Sequence, residues 1–300
     1  MPSSQADLLP RLVYETTPEL PAIDHAAREK ILAMPNAKSA HDESLARNIA
    51  LFDRLEVGGS PNQGEPLNGP VTIALWNVER GRHPHGQAAL LGQQNAAACL
   101  LCELDLGMAR TGQRHTTRDL AERLGAGYAY GVEYLELGLG DEQEQDAHAN
   151  EQNRVGLHGG AILSRYSLER PALVRLDTDG RWFDDQRGQR RVGGRIAVLA
   201  SLRIDDQPVT LASVHLESHG NPEGRAAATA ILLDAIDQYA KEQPVLIGGD
   251  FNTSTVARDW SGAVYRGPAL SAERAINPIP HEPLFDVLRK QGYGWQKAND

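Results

Sequence analysis

The chain has 300 residues, of which 41% are hydrophobic, and its formal net charge is −10 at pH 7. That length and apolar content suffice for one large domain with a substantial core. The negative charge excludes an overall basic field for attracting nucleic acid, so a polyanionic substrate needs a local basic patch or a bound cation.

The N-terminal residues, MPSSQADLLPRLVYE, contain neither the basic nor the apolar segment of a secretory signal. No run approaches the roughly 18 apolar residues that cross a bilayer. We therefore expect a soluble, cytoplasmic protein without a transmembrane segment, and no obligate protein partner is evident. Cys99 and Cys102 are three residues apart, so on a strand they point to opposite faces, and we expect two buried thiols.

Residues 1–69 are predicted to be a helical extension and a loop. The stretch AHDESLARNIALFDRLEV has apolar residues at helical spacing, which places Leu45, Ile49, Phe52 and Leu55 on one face. The following stretch, GGSPNQGEPLNGP, has the composition of a loop. We assign residues 70–300 to the main domain.

From residue 71 onward, strand-length apolar runs alternate with helical stretches. RIAVLASLRI and VTLASVHLES are joined only by DDQP, which indicates an antiparallel hairpin. The clearest helices are TTRDLAERLG and NPEGRAAATAILLDAIDQYAKE. An α/β fold with mixed sheets and outer helices fits this order better than a doubly wound parallel sheet.

Polar side chains stand at or near the ends of several predicted strands: Asn77, Glu103, His215, Asp250 and Asn252. Ligand sites in layered α/β folds gather where loops leave one end of a sheet, so we expect these side chains to meet. Structural alternatives are a turn cap for Asn77, an arginine pair for Glu103, a core position for His215 and a turn at Asp250 and Asn252.

The residue types point to phosphoryl chemistry assisted by a metal. Glu103 and Asn77 offer hard oxygen ligands, which suit Mg²⁺ or Mn²⁺. Asp250 and Asn252 are two positions apart, so on extended chain they point to one side, where one can activate water and the other can contact a phosphoryl oxygen. His215 can bind phosphate or protonate a leaving group.

Five stretches, WNVERG, LLCELD, HGGAILSR, ASVHLES and GGDFNT, resemble in this order the successive motifs of the endonuclease/exonuclease/phosphatase superfamily. The resemblance covers about residues 70–295. It implies an α/β, four-layer α/β/β/α sandwich of two mostly antiparallel mixed sheets. It also implies hydrolysis of phosphoester bonds with a divalent metal, normally Mg²⁺.

The resemblance assigns roles to single residues. It implies metal binding by Asn77 and Glu103, and catalytic roles for the remaining polar residues named above: His215, Asp250 and Asn252. Glu133 matches a carboxylate that orients a histidine in some members. Arg195 and Arg225 are candidate substrate or structural contacts.

The arginine-rich stretch RWFDDQRGQRRVGGR is predicted to be either a solvated hairpin or a patch that recruits phosphate. Trp182 within it can stack on a base or pack locally. The acidic stretch GDEQEQDAHANEQN is predicted to be a solvated loop.

Two features depart from the family pattern. Gly160 stands where an Asn is common, and we find no C-terminal Ser-Asp-His, so we expect a form truncated at its C-terminus. His281 is a conceivable substitute for that histidine, or a structural residue of a turn.

The predicted function is divalent-metal-dependent hydrolysis of phosphoester bonds, as a phosphodiesterase or nuclease. The alternatives are a phosphomonoesterase of the inositol-phosphate type and an inactive binding module of the same fold. The substrate is a small phosphodiester, a lipid head group or nucleic acid. The acidic, aromatic-poor composition favours the first two.

Overall fold

The computed structural model describes residues 12–61, 66–177, 179–184, 188–254, 274 and 276–298. Two mixed sheets form the centre of this part of the chain. The strands are β1 (Thr16–Thr17), β2 (Leu55–Gly59), β3 (Ile73–Asn77), β4 (Ala98–Leu106), β5 (Gly127–Glu136), β6 (Leu157–Ser164), β7 (Glu169–Arg175), β8 (Arg191–Gly193), β9 (Ile196–Ile204), β10 (Gln207–His215) and β11 (Val245–Asp250).

The helices are α1 (His25–Leu32), α2 (Lys38–Arg47), α3 (Ile49–Phe52), α4 (Pro84–Gln93), α5 (Thr116–Leu124), α6 (Glu142–Ala147), α7 (Pro222–Ala240) and α8 (Leu284–Lys290). No helix in the described ranges is long and apolar enough to cross a membrane.

One sheet has seven strands in the order β1-β2-β5-β6-β4-β3, with β8 also paired to β5, and the other has four in the order β11-β10-β9-β7. Side chains of both sheets, such as Leu100 and Ile162 from one and Val198 and Leu211 from the other, form the apolar layer between them. α4 and α5 share a second layer with the larger sheet, and α7 and α8 share a third with the smaller. The predicted α/β sandwich with outer helices is confirmed.

The predicted hairpin is also confirmed, because β9 and β10 pair antiparallel from Ile204 and Gln207 onward. The predicted helical face of Leu45, Ile49, Phe52 and Leu55 is wrong at Leu55. α2 ends at Arg47, α3 is one short turn, and Leu55 begins β2, which pairs antiparallel with β5. The apolar spacing reflects burial of Leu55 beside β5, because strand pairing overrides the local helical pattern.

Glu103 does not end its strand, as the sequence suggested, because β4 continues to Leu106. The register between β4 and β6 shifts between Leu101 and Leu104, and Glu103 has a φ of 58°. A similar shift occurs in β5 between Val132 and Tyr134, around Glu133. Such irregularities re-aim a side chain out of the regular alternation, and both place a carboxylate beside β6.

Candidate active site

A polar cavity of about 170 Å³ lies where ends of the two sheets meet. Its lining residues come from both sheets and from the segments that follow β3, β7, β8, β10 and β11: Arg80, Glu103, His158, Trp182, Gln189, Arg191, Arg195, His215, Ser218, His219, Asp250 and Asn252. Five of these lining residues were candidates from the sequence, namely Glu103, Arg195, His215, Asp250 and Asn252.

Asn77 joins the two sheets at this cavity. Its Nδ2 donates to Glu103 Oε1 and to Asp250 Oδ2, and both distances are 3.0 Å. Its Oδ1 accepts from the backbone N–H of Glu79 at 3.1 Å, so the orientation of the amide is fixed by its partners. The side chain at the end of β3 thus brings two carboxylates together.

The glycines before Asp250 allow β11 to approach its neighbours closely. A Cβ on Gly248 would lie 1.5 Å from a methyl carbon of Leu75 on β3. A Cβ on Gly249, whose φ is 136°, would lie 1.9 Å from the carbonyl oxygen of Val214 on β10. Only glycine fits these positions without displacing backbone or core, so the pair sets where Asp250 enters the site.

Asp250 and Asn252 form a tight turn at the end of β11. The backbone N–H of Asn252 donates to Asp250 Oδ1 at 2.9 Å, and Asn252 has a φ of 49°. Its side-chain amide donates to the carbonyl oxygen of Leu216 at 2.9 Å. Asp250 and Asn252 therefore shape the chain after β11, as the structural alternative predicted, and they also line the cavity.

Glu103 carries its charge at the cavity wall. Arg80 Nη1 donates to its Oε2 at 2.5 Å. Burial raises the pKa of this carboxyl group, but the charges of His158, Arg80 and His215 and the bond from Asn77 outweigh burial and lower the pKa to about 2. Glu103 therefore forms the predicted ion pair with an arginine, and that arginine, Arg80, also lines the cavity.

The imidazole of His215 lies between the carboxylate of Glu133 and the guanidinium of Arg195. Its Nδ1 lies 3.4 Å from Glu133 Oε1 and 2.9 Å from Arg195 Nη1. Arg195 also bonds Glu133 Oε2 at 2.9 Å and Glu217 Oε2 at 3.1 Å. All four side chains are buried, and the Arg195 guanidinium is the cation shared by the carboxylates of Glu133 and Glu217. Glu133 lies where it can orient His215.

The oxygen donors in the cavity suit a hard divalent cation of the Mg²⁺ type. Glu103 and Asp250 meet at Asn77, and Mg²⁺ commonly takes one or two carboxylates and keeps several waters. Across the described ranges, no group of three His, Cys, Asp or Glu has the arrangement of a dense metal site. The carboxylates of Glu103 and Asp250 fit a sparse shell of oxygen ligands.

Arg225 and His281 lie outside the cavity. Arg225 is buried on α7 and donates to both oxygens of Glu282, at 3.1 and 2.6 Å, and to the carbonyl oxygen of Gly220. His281 precedes Glu282 in a turn where its backbone N–H bonds Pro278. The ion pair of Arg225 and Glu282 thus connects helix α7 to this turn.

Where it is described, the arginine-rich stretch is not a solvated hairpin, and because its Arg191 and Arg195 line the cavity, its role in recruiting phosphate stays a prediction. Arg190 donates to carbonyl oxygens of Leu32 and Met34, and Arg191 Nε donates to Glu136. Trp182 is 7% exposed and packs locally under the guanidinium of Arg191. Arg187 lies outside the described residues.

The sequence missed several ionisable residues at or beside the site, above all His158 and its partner Asp105. His158 is the one ionisable side chain in the stretch LHGGAILS, which was the available signal. The acidic stretch was also misjudged. It contains α6, and the buried Glu144 on that helix binds Arg80, Arg82 and Arg110. The attraction of three arginine side chains offsets the desolvation cost of burying the Glu144 carboxylate.

The solved structures with similar folds share little sequence with this chain. The human nocturnin catalytic domain is 16% identical with a TM-score of 0.42, over 63% of this chain and 67% of that one. A mannosyl-6-phosphatase from Bacteroides thetaiotaomicron is 15% identical with a TM-score of 0.41, over 61% and 66%. TDP2 from Caenorhabditis elegans is 18% identical with a TM-score of 0.39, over 63% and 49%.

No curated protein matches the chain closely enough to count as a relative. The model of the endonuclease/exonuclease/phosphatase family, in contrast, matches residues 74–274, a range that holds Asn77, Glu103, His215, Asp250 and Asn252. Enzymes of that family are generally hydrolases that use divalent metal ions, which supports a phosphoesterase or nuclease type of activity here. The chain belongs to the endonuclease/exonuclease/phosphatase family.

Proposed function

We propose that this protein is a phosphodiesterase that uses Mg²⁺ or Mn²⁺ and acts on small or lipid-like phosphodiesters. The observation that carries the proposal is the double hydrogen bond of Asn77, which brings Glu103 and Asp250 together at one cavity. The small cavity and the net charge of −10 favour a compact substrate over duplex nucleic acid.

In this proposal Glu103 and Asn77 hold the metal. A bound divalent cation supplies positive charge against the oxygens of the phosphoryl group. Asp250 accepts a hydrogen bond from the attacking water and directs its lone pair toward phosphorus. Its own orientation is maintained by Asn77 on one oxygen and the Asn252 backbone on the other.

His215 and Asn252 are proposed to hold the non-bridging phosphoryl oxygens. Both line the cavity, and both are held by neighbours, His215 by Arg195 and Asn252 by Leu216. Preorganised donors of this kind favour the transition state, because they need no reorientation as negative charge develops. Arg195, bound to Glu133 and Glu217, acts through His215 as a positioning residue.

The experiment compares two esters of 4-nitrophenol with Mg²⁺ and with excess EDTA. We expect metal-dependent conversion of bis(4-nitrophenyl) phosphate to 4-nitrophenyl phosphate, which then accumulates. Release of inorganic phosphate from 4-nitrophenyl phosphate at a similar or higher rate supports the phosphomonoesterase alternative instead. Absence of hydrolysis of both esters at every tested divalent metal supports the binding module and contradicts the proposal.

A further inference from the structure

Arg191 lines the active-site cavity, and the mechanism above gives it no role. The residue is 6% exposed, and two of its three side-chain nitrogens are already bonded. Nε donates to Glu136 Oε2 at 2.8 Å, and Nη2 donates to Gln189 Oε1. Nη1 makes no hydrogen bond to any described residue, and it is not sealed from solvent. Both N–H bonds of Nη1 are therefore left for a ligand that enters the cavity.

Aromatic rings and the backbone fix the guanidinium of Arg191 on its other sides. Its Cζ lies 4.7 Å from the ring centroid of Trp182 and 5.3 Å from that of Tyr134. Such contacts suit arginine, because its planar charged group is weakly hydrated. The backbone N–H of Arg191 donates to the carbonyl oxygen of Trp182 at 2.9 Å. The position of Nη1 is thus set before a ligand arrives, which lowers the entropy lost on binding.

Residues outside the range that the family model matches hold the strand that carries Arg191. This strand, β8, pairs with the end of β5. Arg190 donates to carbonyl oxygens at the end of α1 and just after it. The N–H of Gly193 donates to Nε2 of His41 at 3.1 Å, and His41 is fully buried on α2. The N-terminal helices therefore help to build this wall of the cavity.

Arg80 and Arg195 also line the cavity, but their partners already belong to the proposed reaction. Arg80 Nη1 bonds Glu103, and Arg195 Nη1 lies 2.9 Å from His215 Nδ1. The strands β5 and β6 separate β8 from β4, which carries Glu103. At about 4.8 Å per strand, the backbones of Arg191 and Glu103 lie roughly 14 Å apart along the sheet. Arg191 therefore faces a part of the substrate away from the metal residues.

We propose that Arg191 binds a second anionic group of the substrate, a carboxylate or a phosphate on the alcohol part of the phosphodiester. This proposal rests on the proposed phosphodiesterase activity and narrows its substrates to small diesters with such a group. A guanidinium matches the oxygens of carboxylates and phosphates, and its hydrogen bonds to them are charge-assisted. A cationic head group, such as that of choline, would meet a like charge at this position.

The test compares four diesters of 4-nitrophenyl phosphate that share the leaving group. Their second alcohol is propanol, 3-hydroxypropanoate, ethylene glycol monophosphate or choline. With Mg²⁺, we expect the wild-type protein to cleave at least one of the two acidic esters with a kcat/KM about 10-fold or more above that of the propyl ester. The larger of the two preferences identifies carboxylate or phosphate. The choline ester should be cleaved no better than the propyl ester.

Arg191→Gln should lower kcat/KM about 10-fold or more on the preferred acidic ester and less than about 3-fold on the propyl ester. The loss should appear mainly in KM, because the contact is the same in the ground state and the transition state. Arg191→Lys keeps a positive charge and should recover part of the preference, which a purely structural loss would not allow. Arg154→Gln, at an exposed position before β6, is the matched control and should keep the wild-type preference.

Equal losses of Arg191→Gln on the propyl and acidic esters would overturn the proposal, because they would indicate a contact with the scissile phosphoryl group or a structural role. Wild-type protein that cleaves the propyl ester as well as both acidic esters would overturn it without any variant. Calorimetric titration in EDTA gives a reading that needs no hydrolysis. The wild-type protein should bind the phosphate monoester of 3-hydroxypropanoate or of ethylene glycol monophosphate about 10-fold more tightly than propyl phosphate, and Arg191→Gln should bind all three equally.

The two kinds of measurement separate this proposal from the phosphodiesterase activity. Tighter binding of an acidic monoester through Arg191, with no cleavage of any diester, would support the anion site and contradict the phosphodiesterase. Metal-dependent cleavage without any preference for an acidic group, in rate or in binding, would support the phosphodiesterase and contradict the anion site.

Discussion

Asn77 and Asp250 are 173 positions apart and lie on different sheets, yet Asn77 Nδ2 bonds Asp250 Oδ2 at 3.0 Å. The same nitrogen bonds Glu103, so one amide balances two carboxylates. Asn77→Ala should lower kcat/KM on a phosphodiester about 100-fold or more, because a preorganised donor is lost and the carboxylates repel. Asn68→Ala, at an exposed loop position, is the control, and its kcat/KM should equal that of the wild-type protein. Equal kinetics in the two variants would contradict the role of Asn77.

The network around Arg195 predicts a large effect on stability. Arg195→Met leaves Glu133 and Glu217 buried without their main cation, and we expect the free energy of unfolding to fall by about 3–5 kcal/mol. Arg203→Met removes an ion pair with Glu169 in which both side chains are largely exposed, and should cost about 1 kcal/mol or less. Urea titrations of both variants give the comparison, and similar losses would count against a buried network.

The close approach of Gly249 to β10 predicts that a side chain at this position lowers the free energy of unfolding. Gly249→Ala places a Cβ 1.9 Å from the carbonyl oxygen of Val214 at a φ of 136°, so β10 and β11 must separate. We expect a loss of at least about 2 kcal/mol in unfolding free energy. Gly86→Ala on α4 has open space around the added methyl group and should change stability by no more than about 1 kcal/mol. A Gly249→Ala protein as stable as Gly86→Ala would refute the tight approach.

The lowered pKa of the buried Glu56 predicts how the free energy of unfolding changes at acidic pH. Burial raises its pKa, but the hydrogen bond and charge of His115, with the Leu20 N–H and the Tyr128 hydroxyl, outweigh burial and lower it from 4.5 to about 2. The folded-state pKa lies below the unfolded one, so this stabilisation is complete above about pH 4.5 and is lost as pH falls toward about 2.

Glu56→Gln should therefore lose less unfolding free energy than the wild-type protein between pH 4.5 and pH 2. The exposed Glu122→Gln on α5 should retain the wild-type slope. Chemical denaturation at several pH values measures both slopes. A Glu56→Gln slope equal to that of the wild-type protein would argue against a depressed pKa.

The sequence predicted Asn77 and Asp250 at the ends of apolar strands, and the structure places each at the last residue of its strand. It could not predict why Glu103 faces the cavity, since that depends on an irregular register with β6 in the middle of β4. The pair of Asp105 and His158 depends on the same cross-strand register, 53 positions apart. Long-range pairing of charges likewise decided the environment of Arg225, which local composition left open between substrate and structural contact.

Hydrolysis of bis(4-nitrophenyl) phosphate by the wild-type protein and by Asp250→Asn, each with Mg²⁺ and with EDTA, tests the central claim most directly. Asp234→Asn, at an exposed position of α7, is the matched control. The account predicts metal-dependent hydrolysis by the wild-type and Asp234→Asn proteins, and a rate at least about 100-fold lower for Asp250→Asn. Equal rates for Asp250→Asn and Asp234→Asn, or undiminished hydrolysis in EDTA, would contradict it.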